Sequence, residues 1–309
     1  MDFSTKYTVR TDLADEVLEN LGEKKGKIGD GIFFETKNIC GTKIDFVTVE
    51  NENAVRTTGK PMGKYATVGV GEIWKSGKET FESIAKAIGC VVKGMLPKEG
   101  ACLVAALGNE RIAADALGPF AARNVIVTRH IKELDRRLFD SFGGSECACI
   151  VPGVMGDTGA EAFEIIKGVT DAIKPSSVIV VDALASKNIS RLAKTVQISD
   201  SGISPGSGVG NARHEISRKT LGVPTIAVGV PTVVEAYTLC LDILKSTLKN
   251  EQDIYNYIEE KMPDGTGSFF VCPKETDRII KCMAKLVGYS LNFAFHEGMT
   301  ISEMDEFLS

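Results

Sequence analysis

Asp115, in Ala114-Asp115-Ala116-Leu117-Gly118-Pro119, and Asp182, in Val181-Asp182-Ala183-Leu184-Ala185, each stand where an unbroken apolar run gives way to a loop. The runs are Cys102 to Leu107, ahead of Gly108-Asn109, and Val178 to Val181. Neither alternates with period two, the mark of strands covered on both faces. A parallel sheet delivers its strand ends to one edge, and ligands of open α/β sheets sit outside the carboxyl ends. Two carboxylates meeting there share a proton, and the ionised one activates a water for hydrolysis.

The elements that must position this pair follow from periodicity. Residues 31–36 and 43–49 read as strands about the turn Cys40-Gly41-Thr42, and another strand runs through Tyr65 to Val70. From about Lys78 the apolar residues Phe81, Ile84, Ile88, Val91 and Met95 recur at helical spacing, until Pro97 and Gly100. Strands 102–107, 125–128, 149–151, 177–181 and 225–228 follow, with a helix at about 160–173. Pro231 opens a helix reaching about Leu248, and a last helix runs from about Lys274 to His296. The alternation predicts an α/β fold: a mostly parallel central sheet with helices on both faces, in three layers, plus a small N-terminal β-hairpin region over 15–75.

Composition narrows the partners. With 309 residues and a net charge of −5, the chain has an ample core and lacks the basic balance that nucleic acid demands. No apolar run approaches the roughly 18–20 residues that cross a bilayer. The polar start, Met1 to Lys6, has no signal-peptide core, so a cytoplasmic chain is expected. Cys40, Cys90, Cys102, Cys240 and Cys282 lie in apolar contexts and read as buried thiols. No zinc spacing accompanies Cys147-Ala148-Cys149, and neither a metal nor another cofactor is expected.

Four loops are richer in Gly, Pro and Asp than connection requires: 107–119, 151–156, 182–185 and 197–211. Each alone reads as a strand-to-helix turn with a capping aspartate; together they point to a site at one sheet edge. Gly108 and Asn109 flank Asp115, and His130 follows the expected strand 125–128. The amides of Gly206, Gly208 and Gly210 are available to an oxyanion. The same glycines have neither the Gly-Lys-Ser/Thr ending of a phosphate loop nor Gly-x-Gly-x-x-Gly spacing. Asp157-Thr158-Gly159 and Asp200-Ser201-Gly202 match the pepsin-type triplet, but the alternating pattern excludes that all-β setting, leaving Asp200 as a supporting group. No Gly-x-Ser-x-Gly elbow is present.

Read jointly, Asp115-Ala-Leu-Gly-Pro119, Pro152-Gly-Val-Met-Gly156, Asp182-Ala-Leu-Ala185, Gln197-Ile-Ser-Asp-Ser-Gly202 and Pro205-Gly-Ser-Gly-Val-Gly-Asn211 resemble the germination proteases of spore-forming bacteria. The resemblance implies an atypical aspartic endopeptidase that initiates degradation of small acid-soluble spore proteins. It further implies a homotetramer in the forespore and spore core, made as a self-cleaving zymogen, with Asp115 and Asp182 catalytic. The family cuts after an acidic residue and before an apolar residue and alanine. Asp12-Leu13-Ala14 has that form, making residues 1–12 a propeptide and 13–309 a single peptidase domain. Ala113-Ala114 and Ser204 stand where the family pattern has Thr-Pro and His.

Two rival readings remain from the residues. Gly108-Asn109 with Asp115 and Gly118 is also similar to hydrogenase-maturation endopeptidases, in which an acidic pair and a His, here Asp115, Asp182 and His130, engage a metal. The other is a non-catalytic binder of spore proteins.

Overall fold

The computed structural model describes residues 11–19, 26–141, 143, 145–207, 213–245, 254, 257 and 269–309. Ten strands form one sheet: β1 (Gly26–Gly29), β2 (Ile32–Ile39), β3 (Thr42–Val49), β4 (Gly63–Gly69), β5 (Cys102–Ala106), β6 (Cys147–Ile150), β7 (Ser177–Ala185), β8 (Thr195–Ser199), β9 (Thr225–Glu235) and β10 (Phe270–Val271). Their order is β1-β2-β3-β4-β8-β9-β7-β5-β6, with β10 paired to β9. The expected α/β architecture is present, and β6, β5, β7 and β9 are parallel. The hairpin strands join the same sheet antiparallel through β4 and β8, so the sheet as a whole is mixed rather than mostly parallel.

Alternate residues of the buried strands feed opposite layers. Val104 and Ile179 face the helices Lys78–Met95, Leu117–Ala122 and Thr276–Phe295, while Leu103, Ala105, Val178 and Val180 face Ala162–Ile173 and Leu221. The two long helices approach closely at Gly89, where a Cβ would lie 2.7 Å from the Ser290 carbonyl oxygen. The hairpin turns at Cys40 (φ 51°) and Gly41 (φ 79°), two left-handed residues whose twist suits the flanking strands.

Four sequence expectations need correction. Val125 to Thr128 is not a strand: Asn292, fully buried, accepts from the Ile126 N–H at 2.9 Å and donates to the Asn124 carbonyl at 2.8 Å, serving the backbone in place of a ladder. Pro231 lies inside β9, and the helix starts at Ala236. Because proline offers no N–H, the β7–β9 register shifts there, pairing Leu184 with Pro231 but Ala185 with Val233. Residues 197–199, the start of the expected loop 197–211, belong to β8. Cys40 and Cys90 are exposed, their sulfurs 3.4 Å apart, whereas Cys102 and Cys147 are buried.

Candidate active site

The loop after β5 is shaped by two close approaches. Gly108 adopts φ +118°, and a Cβ there would lie 2.0 Å from the Asp115 carbonyl oxygen. A Cβ at Gly118 would lie 2.1 Å from the Leu107 carbonyl oxygen. The chain therefore doubles back on β5, and the Asn109 N–H donates to both the Asp115 carbonyl (3.1 Å) and its Oδ2 (2.8 Å). Burial pushes the Asp115 carboxyl above the usual carboxylate range, opposed by the Asn109 hydrogen bond.

Asp182 lies within β7 rather than past its end, because pairing with β9 continues to Ala185. It shares the face of Val178 and Val180, and its Oδ1 accepts from the Ala183 N–H at 2.9 Å. Burial, first, and the charge of Asp115, second, raise the Asp182 carboxyl well above the ordinary range, with Asp12 adding to the effect. Both aspartates line one cleft of about 480 Å³, walled by Ile112, Met155, Phe163 and Phe270. The two carboxyl groups that sequence analysis singled out thus meet in one cavity.

Asp12 lines the same cleft. Its N–H donates to the Ala185 carbonyl (2.9 Å), while its carboxylate accepts from the Ala185 N–H (2.8 Å) and the Ser207 hydroxyl (3.2 Å). Gln197 reaches across the following peptide bond: Nε2 donates to the Asp12 carbonyl at 2.9 Å, and Oε1 accepts from the Ala14 N–H at 2.6 Å. Leu13, between them, is fully buried. Lys60 donates to the Thr11 carbonyl at 2.7 Å, Glu16 accepts from the Lys187 and Asn188 N–H groups, and Arg191 pairs with Asp15 at 2.8 Å. The segment 11–16 is thereby fixed across the end of β7.

The other expected residues divide. Gly108 and Gly206 line the cleft, and Asn109 holds Asp115. His130 is exposed on the helix Arg129–Leu134 and does not line the cleft. Asp200 is exposed too, and its carboxylate accepts from the Lys64 N–H at 2.7 Å, clasping β4 to β8 instead of supporting the pair. Gly208 and Gly210 lie outside the described residues. Among the described residues, no group of three or more His, Cys, Asp or Glu side chains is placed to hold a metal ion, and no helix is long and apolar enough to cross a membrane. Sequence reasoning missed Gln197, although a glutamine amid Val196 and Ile198 is a polar residue on a strand-like pattern. It also missed the His214–Glu161 pair at the cleft, joined at 2.6 Å with Phe163 stacked on the imidazole.

The sequence pattern of the germination protease family matches residues 10–256. A germination protease of Caldanaerobacter subterraneus subsp. tengcongensis is 38% identical, the match covering 97% of this chain and 98% of that protein. Those of Clostridium perfringens (98% and 100% covered) and Priestia megaterium (94% and 95%) are each 36% identical. Among solved structures, the NiFe hydrogenase maturation protease HycI of Thermococcus kodakarensis aligns over 65% of this chain and 98% of its own, at 16% identity and a TM-score of 0.34.

Proposed function

The chain belongs to the germination protease family, and from that premise we propose that it is an aspartate-dependent endopeptidase that initiates degradation of small acid-soluble spore proteins. The observation that carries the mechanism is the pair Asp115 and Asp182 on one cleft, both with carboxyls raised by burial. Like charges in a desolvated site cannot both ionise, so the pair titrates as a unit. Asp182, the deeper group and the one raised by its neighbour's charge, holds the shared proton; Asp115 takes a proton from the attacking water.

The precursor cuts itself between Asp12 and Leu13. Support comes from Asp12 lying on the cleft that the pair lines, bound through backbone and carboxylate to Ala185. In this reading the protease works as a homotetramer in the forespore and spore core. The test is incubation of the full chain with a purified acid-soluble spore protein, followed by mass. Cutting after acidic residues and loss of residues 1–12 are expected, and both vanish in Asp115→Asn and Asp182→Asn. Near-parent activity in either variant rejects the pair, while binding without cutting returns the protein to a non-catalytic role.

A further inference from the structure

Asp182 and Gln197 share a row of the sheet. Asp182 pairs with Gly229, and Gly229 pairs with Gln197, so the two side chains project from one face on strands flanking a residue with no side chain. At about 4.8 Å per strand, their Cα atoms stand roughly 10 Å apart, and the Leu184 side chain lies over Gly229 between them, 2.5 Å from where a Cβ there would be. Gln197 is buried, at 7% exposure, and its amide orientation is set by its partners. The Ala14 N–H can only donate and must face Oε1, so Nε2 faces the Asp12 carbonyl, which can only accept.

Resting on the self-cleavage reading above, we propose that Gln197 is the oxyanion donor of the reaction, its Nε2–H stabilising the charge that develops on the Asp12 carbonyl oxygen. Water oxygen bonds to the Asp12 carbonyl carbon as Asp115 takes one water proton, and the carbonyl electron pair moves onto the oxygen facing Gln197. Collapse of that intermediate restores the carbonyl and breaks the bond to the Leu13 nitrogen, which takes a proton from Asp182. Amides of the glycine loop are not required for this role, because a fixed donor already stands at 2.9 Å. The Ala14 contact holds the amide in place before charge appears, so no reorganisation accompanies the step.

The test uses the full chain with Gln197→Met, of similar shape but no donor, and Gln197→Glu, which keeps an acceptor for Ala14 but presents none of the amide's N–H. Thermal unfolding establishes that each variant folds. Loss of residues 1–12, followed by mass, gives a first-order rate that should fall about 10²–10³-fold in both. On a synthetic peptide spanning residues 7–19, fully processed variants should lose kcat while KM stays within about threefold of the parent, the signature of an interaction made in the transition state. Parent rates in a folded Met or Glu variant, or a change confined to KM, overturn the assignment. A parent chain that never sheds its leader overturns the self-cleavage reading itself, a separate outcome.

Discussion

Gly108→Ala tests whether backbone crowding sets the position of Asp115. The new Cβ would lie 2.0 Å from the Asp115 carbonyl oxygen. Restoring ordinary contact, at about 3.4 Å or more, displaces that carbonyl by about 1.4 Å. Asn109 binds the carbonyl and the carboxylate through one N–H, so the displacement is passed to the reacting group. Alanine must also adopt φ near +118°, at a cost of about 1–3 kcal/mol. For a chain of this size that lowers the melting temperature by roughly 2–10 °C, leaving the protein folded at 25 °C. A catalytic group misplaced by about 1 Å costs on the order of 10²-fold in rate. The assay is the first-order loss of residues 1–12 at 25 °C, followed by mass alongside a thermal melt. A folded Gly108→Ala chain that processes within threefold of the parent would refute the reasoning, since the clash would then have been absorbed without moving Asp115.

Three further outcomes are expected. Asp182→Asn should melt progressively higher than the parent as pH rises above about 4. The native carboxyl is raised and keeps its proton while the unfolded one loses it near pH 4, so the parent loses about 1.4 kcal/mol per pH unit until the folded group ionises; melts across that range check the sign. Gly168→Ala should add roughly 0.5–1 kcal/mol, because Gly168 is exposed within the helix Ala162–Ile173 and a Cβ there meets nothing within 4 Å; denaturant midpoints would register the gain. Chelator treatment should leave leader loss and substrate cutting unchanged, and abolition reversed by added divalent metal would restore the metal-dependent reading.

The aspartate pair was legible as a candidate because burial on both faces writes continuous apolar runs such as Val178 to Val181. The ends of those strands were less so. Asp182 continues its strand because β9 continues beside it, a fact local to neither segment. Pro231 carries a helix-start signal that tertiary pairing overrides, and Val125 to Thr128 looks like a strand because it is apolar, while its hydrogen bonds go to Asn292. Gln197 escaped notice for a different reason. Its partners, Asp12 and Ala14, lie 185 and 183 residues away, and no spacing rule relates them.

The short contact between β8 and β9 has a consequence for folding fidelity. Three pairs set their alignment: Gln197 with Gly229, Ile198 with Val228, and Ser199 with Ala227. A slip of one residue would turn the glutamine to the opposite side of the sheet. A slip of two would carry it about 6.8 Å along the strand, still on the correct side but past any bond held near Asp182. A chain misaligned in this way would keep its layers and much of its core, yet lose the Gln197 contact to Asp12. The five pairs that β8 makes with β4 guard against this, so β4, three strands away from β7 in the sheet, acts as the ruler against which the site is measured.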